Sequence, residues 1–173
     1  MKHFIYLIFL AIFLLAPQVV FAQSSYVLPY PSAMPGNKFY KFHEILEFVS
    51  KYWYFGNFGQ FTYNLNESDK YLVEAKTLFE YKQYLLGYKA QQKSDKYFLE
   101  TFKYLKNAKA ENKDIAEKYS LLKNAAKKHT EVLINLKNII PSEFLWQPEK
   151  SSLTKLNLKS DIENSINIRL TDL

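Results

Sequence analysis

The residues best suited to proton transfer or metal binding are few. Among residues 23–173 there are two histidines, His43 and His129, no cysteine anywhere, and carboxylates scattered among lysines. A metal or general-base role for His129 would need partners at fixed spacing, and neither H-x-x-x-H nor H-E-x-x-H occurs. Its nearest acid, Glu131, points to a different helical face. His129 itself falls on the apolar seam of a helix, so it is expected to pack with one ring nitrogen bonded to a neighbouring helix. His43, with Glu44 and Glu47 close by, reads as part of a surface pair. Glycoside hydrolysis would need two carboxylates converging from distant segments. Glu44, Glu74, Glu80 and Glu100 qualify by type, but nothing separates them from helix-surface charges. No G-x-S-x-G elbow or phosphate-cradling glycine loop is present. The sequence therefore points to no catalytic residue, no metal and no cofactor. Asn66-Glu67-Ser68 fits a glycosylation sequon, a weak signal in a bacterial context.

One stretch has unusual composition. Phe39, Tyr40, Phe42, Phe48, Tyr52, Trp53, Tyr54, Phe55, Phe58, Phe61 and Tyr63 crowd into a short segment. Consecutive residues Tyr52–Phe55 point all round a helix, so they cannot all face one core. Two readings follow. Trp53, Tyr54 and Phe58 could form a binding surface for sugar rings, a peptide or a membrane interface. The plainer reading is a core in which AT-rich coding has replaced leucine with Phe and Tyr.

The elements that would position these groups begin with an export signal. Lys2 and His3 precede the apolar run Phe4–Leu15, and Val20-Phe21-Ala22 offers a peptidase site. The apolar run is shorter than the roughly 20 residues of a spanning helix, and Pro17 interrupts its extension. Cleavage after Ala22 is expected, with membrane association if the segment is retained. Removing 22 of the 173 residues leaves 151, about one domain. An exported chain without cysteine must rely on its core rather than on disulfides.

The formal charge is +6, or +5 once Lys2 is removed. Arg169 is the only arginine. Nucleic-acid readers lean on arginine for bidentate contacts, and the lysines here alternate with acids as on a solvated helix face. Nucleic acid is not expected as a partner.

Residues 23–37 contain three prolines and read as an extended arm. The bundle is expected over 38–141. A first helix over 38–55 carries Phe42, Ile45, Leu46, Val49 and Trp53 at helical spacing. Gly56 and Gly59 would end it, leaving 56–65 as a loop. A second helix would start at an Asn66 cap with Asp69 in its first turn, lined by Leu72, Ala75, Phe79 and Leu86, and fade near 88–92. Ser94 would cap a third, with Asp95 in its first turn and Phe98, Phe102 and Leu105 as its stripe; tolerance of Gly87 would merge the two into one kinked helix. After a polar break at 107–113, a fourth helix carries Ile115, Tyr119, Leu122, Ala126, His129, Leu133, Leu136 and Ile140 as a heptad-type seam, ending at Pro141. Residues 142–173 read as a tail. There Trp146 and Pro148 lie in a linker, and Ser152 caps a helix carrying Leu156, Ile162 and Ile166, with a strand over 166–170 as the alternative. The expected fold is all-α: an antiparallel bundle of about four long helices preceded by an extended proline-rich arm.

Two stretches carry a resemblance. Tyr26-Val27-Leu28-Pro29-Tyr30-Pro31-Ser32-Ala33-Met34-Pro35, followed by Tyr40, resembles the Y-x-L-P-Y-P-G-x-L-P…Y opening of a bacterial family catalogued as a domain of unknown function in secreted or surface proteins. His129-Thr130-Glu131-Val132-Leu133-Ile134-Asn135-Leu136, ending at Pro141, is similar to that family's H-x-x-V-L-x-x-L…P helix. Ser32 stands where the family has glycine, and Gly36 where it has an acid. The resemblance implies an exported helical fold, supplies no activity, and implies that Pro29, Tyr30 and Pro31 pack across the bundle.

These readings converge on a secreted or envelope-associated, non-enzymatic helical domain that binds an envelope protein or a glycan. An enzyme acting on envelope glycan through helix-borne carboxylates, and a peripheral membrane binder using lysine and aromatic side chains, are the alternatives.

Overall fold

A computed structural model describes residues 26–31, 35, 42, 45, 46, 49–148 and 152–171. The expected signal peptide, His43, Glu44, Glu47, Phe39, Tyr40 and Phe48 lie outside the described residues. Among the described residues the fold is an all-α bundle of four long helices with one small hairpin. Helix α1 spans Gly56–Glu80, α2 Tyr84–Ala110, α3 Ala116–Ile139 and α4 Leu158–Leu170. Strands β1 (Phe144–Trp146) and β2 (Thr154–Leu156) pair antiparallel between α3 and α4, with Leu145 opposite Lys155.

Helix α1 begins ten residues before its expected Asn66 cap. Gly56 adopts φ +68, a conformation that costs glycine little, and turns the extended chain at Phe55 straight into helix. The weak helix formers that suggested a loop over 56–65 are tied to their own helix. Thr62 Oγ1 donates to the Phe58 carbonyl at 3.0 Å, and Asn64 Nδ2 to the Gln60 carbonyl at 2.7 Å. Phe61 and Leu65 then extend the buried face of Leu72 by one helical repeat.

The break between α1 and α2 falls at Tyr81–Gln83, earlier than expected. Gln83 N–H donates to Leu78 O at 2.8 Å and Lys82 N–H to Phe79 O at 3.0 Å. That is a Schellman motif with Lys82, at φ 60, in the place glycine favours. Lysine there gave no sequence signal. Helix α2 ends the same way, with Lys113 N–H to Ala108 O at 3.1 Å and Asn112 N–H to Lys109 O at 3.0 Å. Asn112, at φ 57, suits its position, and a break was expected there.

Because the turn comes early, Gly87 and Ser94 both lie inside α2. A Cβ on Gly87 would stand 2.9 Å from the buried Phe79 ring. Gly87→Ala is therefore expected to lower stability by about 1–2 kcal/mol, the overpacking strain exceeding the gain in helix propensity; a urea melt of the purified protein measures it.

The interior is divided. One apolar cluster joins Leu72, Leu78, Phe79, Leu133, Leu136, Leu158 and Ile162 with half-buried Leu28. The other joins Phe61, Leu65, Phe98, Leu105, Leu122 and Ala126 with half-buried Tyr26. The arm thus crosses from one cluster to the other. Extended backbone alternates its side chains, so Tyr26 and Leu28 face inward while Val27 is exposed. Pro29, Tyr30 and Pro31 are also exposed. They do not pack across the bundle; the prolines instead restrict the arm to extended conformations.

Residues after Pro141 complete the core rather than forming a peripheral tail. Trp146 belongs to β1 and Leu156 to β2, so the last helix starts at Leu158, not near Ser152. Ile166–Leu170 is helical, because Ile162, Ile166 and Arg169 then reach the interior from one face. Upstream, Phe42, Ile45, Leu46 and Val49 are helical but 57, 61, 48 and 44% exposed; this expected core stripe is not buried.

Candidate functional site

Between the two apolar clusters lies a layer of polar side chains from every main helix, buried except for the half-buried Asp95. From α1 come Ser68 and Asp69, from α2 Gln91, Ser94 and Asp95, from α3 His129, and from α4 Ser165 and Arg169. Ser68 Oγ donates to Ser94 O at 3.0 Å, and Ser94 Oγ returns a bond to Ser68 O at 2.8 Å. This reciprocal clasp needs close approach of α1 and α2, which small side chains permit. The serine expected to cap a helix instead cross-links two.

The chain's single arginine sits at the centre, fully buried. Arg169 pairs with Asp95, donates to Ser94 Oγ at 3.0 Å and to Ser165 O at 2.9 Å, and lies 5.0 Å from the centroid of Phe98. Asp95 also accepts from Ser165 Oγ at 2.6 Å and Gln91 Nε2 at 2.9 Å. Burial lowers the proton affinity of Arg169 and the Asp95 charge opposes that shift; a guanidinium so paired keeps its charge.

Asp69, expected near a helix start, is in mid-helix and joins three elements. Tyr26 OH donates to its Oδ2 at 2.5 Å, and His129 Nε2 lies 2.6 Å from its Oδ1. The carboxylate accepts from both, which places the neutral imidazole proton on Nε2. Nδ1 then carries a buried lone pair without a partner among the described residues. Burial pushes the His129 pKa down, Asp69 raises it, and the Arg169 charge lowers it. Burial, then the Asp69 charge and hydrogen bond, push the Tyr26 hydroxyl up.

This chain of Tyr, Asp and His could share protons, but every member faces the interior. Among the described residues no hydroxyl hydrogen-bonds His129 as a nucleophile would. Among the described residues no group of three or more His, Asp or Glu side chains could hold a metal ion. Of the candidate carboxylates, Glu80 pairs with Lys76 at 2.7 Å and Glu100 with Lys103 at 3.3 Å on the surface, while Glu74 is buried. The sequon's Ser68 is fully buried in mid-helix. The layer ties the four helices to one another through Ser68–Ser94, Asp69–His129 and Asp95–Arg169, bonds that a shift of helix register would break. Sequence reading missed Arg169 and Asp95; the one usable signal was an arginine retained in a chain otherwise stripped of them.

The aromatic segment divides between inside and outside. Phe61 and Tyr63 are buried, while Tyr54 and Phe58 are half-buried. Tyr52, Trp53 and Phe55 are 63, 72 and 81% exposed. Tyr52 and Trp53 ride on a 3₁₀ turn, Lys51–Trp53, and Phe55 caps the start of α1. Gln60 Nε2 donates to Tyr54 O at 2.7 Å and Lys51 O at 3.1 Å. The Tyr54 and Tyr63 rings meet at 5.5 Å. Gly59 lets the Tyr54 backbone close in, because a Cβ there would stand 2.8 Å from the Tyr54 carbonyl carbon. The α2–α3 connection completes this end of the bundle: Asn57 Nδ2 donates to Glu111 at 2.7 Å, and Lys113 lies 5.7 Å from the Phe58 ring. Of Trp53, Tyr54 and Phe58, the structure exposes the first and uses the other two to support it.

Fold and site together define a helical bundle with a polar mid-layer and an exposed, braced aromatic end. Compared with protein-family models, curated proteins and solved structures, the chain matches none.

Proposed function

We propose that this chain is an exported, non-enzymatic helical domain that binds a partner in the cell envelope or outside the cell through its aromatic end. The observation that carries the reading is the bracing of Tyr52, Trp53 and Phe55. Large apolar side chains carried on a backbone already held in place need less ordering of the chain when covered, which is how a small patch gains affinity. An exposed cluster created by coding bias alone would need no such support from Gly56, Gly59 and Gln60.

The test is retention of a protein, glycan or lipid from detergent-solubilised envelope extract by the exported protein, compared with Trp53→Ser/Phe55→Ser. Both side chains are exposed, so the variant should melt as the wild type does. Loss of retention in a stable variant supports the reading; unchanged retention rejects it. Gly59→Ala adds a second check. It leaves the exposed side chains in place but pushes on the Tyr54 backbone, so it is expected to weaken retention about tenfold or more through lost preorganisation.

A further inference from the structure

The aromatic end has a chemical setting that narrows its partner. Between Glu47 and Glu67 the chain carries no acidic residue. Lys51 lies in the turn that carries Tyr52 and Trp53, and Lys113, on the α2–α3 connection, lies 5.7 Å from the Phe58 ring. At the α2–α3 connection Glu111 pairs with Lys113 at 2.7 Å and with Asn57, Asp114 accepts from the Ala116 N–H at 2.9 Å, and Glu117 pairs with Lys118 at 3.4 Å, so Lys113 and Lys118 are themselves paired. Tyr119, one turn into α3, is 39% exposed. Immediately upstream in the chain come the exposed helical residues Phe42, Ile45, Leu46 and Val49, spaced by three and four as on one face of an amphipathic helix.

Trp, Tyr and Phe beside lysine, following an aliphatic helical stripe, is the side-chain set of the membrane–water interface. The rings tolerate a layer that is apolar on one side and wet on the other, and lysine stems reach from it to lipid phosphates. We infer that the aromatic end seats in the interfacial layer of an anionic lipid bilayer, with Tyr52, Trp53 and Phe55 inserted and Lys51 at the phosphates. This rests on the aromatic end being the binding face and names what covers it. No described helix is long and apolar enough to cross a membrane, so attachment at this end is peripheral.

The chain has two tryptophans, and Trp146→Phe leaves Trp53 as the sole reporter. The exported protein carrying that substitution is titrated with vesicles of phosphatidylcholine containing about one-third phosphatidylglycerol, anionic enough to set up a surface potential. Trp53 emission should shift to the blue and be quenched by brominated acyl chains. Partitioning should weaken about tenfold with Phe55→Ser and several-fold at about 0.5 M salt. A retained amino-terminal apolar segment would bind vesicles without moving Trp53, so it cannot imitate this result. Trp53 emission unmoved by vesicles overturns the inference, as does the same shift appearing without lipid as protein concentration rises, which would mark a second copy as the occupant. If vesicles leave Trp53 in water while Trp53→Ser still abolishes retention from detergent extract, the membrane inference fails and the binding end stands. If neither measurement depends on Trp53, both readings fail.

Discussion

Arg169→Ala is expected to lower the stability of the fold by about 3 kcal/mol or more. Removing one partner of a buried ion pair costs about 3–5 kcal/mol because the remaining charge stays desolvated. The lower end applies here. Asp95 keeps its bonds from Gln91 and Ser165, and its side chain is 17% exposed, so water reaches it. Lost packing against Phe98 acts in the other direction. For a chain of this size the effect corresponds to a fall in Tm of about 6–12 °C, against a total stability of about 5–15 kcal/mol. Arg169→Met/Asp95→Leu removes both charges at similar volume and should recover most of the loss. A single variant within about 1 kcal/mol of wild type, on the scale of an exposed ion pair, would show that the pair carries little of the stability.

Asp69→Ala is expected to cost about 3–5 kcal/mol and to free the arm. One carboxylate serves two buried donors, and each bond to a charged group contributes about 1.5–3 kcal/mol. Tyr26 OH and His129 Nε2–H would both lose this acceptor, and the arm would be held mainly by packing of Tyr26 and Leu28 on the two clusters. Limited proteolysis near Tyr26–Pro31 should accelerate more than cleavage elsewhere, which separates arm release from general unfolding.

The same junction sets an acid response. Three charged groups face His129: Asp69 from α1, Asp95 from α2 and Arg169 from α4. The folded pKa lies below the 6.5 of an exposed imidazole, burial being the largest cause. The unfolded chain therefore takes up the proton first. The contribution of neutral His129 is fully present above pH 6.5 and declines as pH falls below it toward the folded pKa. Protonation also puts a hydrogen on Nδ1, which has no acceptor among the described residues. His129→Gln should flatten the stability profile between pH 6.5 and about 5, above the range where carboxylates dominate. An unchanged slope in that window would assign the acid response to other groups.

Local signals read well wherever the structure uses them locally. The seam Leu122, Ala126, His129, Leu133 and Leu136 is buried along α3, because spacing by three and four places those residues on one face whatever packs against it. The break near Asn112 was legible because the stretch 107–113 is polar, and the structure puts Asn112 there in the left-handed conformation that asparagine tolerates. Lys82 adopts the same conformation without being a residue that favours it, so the α1–α2 turn left no trace in the sequence. Gly59 and Gly87 look like breakers by composition. In the structure each is where another part of the chain comes too close for a Cβ, and that neighbour is unknowable from the flanking residues alone. For the aromatic segment, sequence showed only that four consecutive large rings could not share one core; bracing at Gln60 and Gly59 chose which of them face water.

The sequence by itself determined the helical class, the α3 seam, the reliance on a cysteine-free core and the position of the aromatic cluster, since each depends on composition or on near-neighbour spacing. Tertiary structure alone decided what Asp69, Ser94 and Arg169 do. In type, Asp69 and Ser94 are good helix caps, and sequence reading placed helix starts beside both. In the fold, Ser94 bonds Ser68 across 26 residues, Asp69 bonds His129 across 60, and Arg169 reaches Asp95 across 74. A hydrogen-bonding side chain in mid-helix is a weak local choice, and it becomes a strong one only when a partner on another helix replaces the water it leaves.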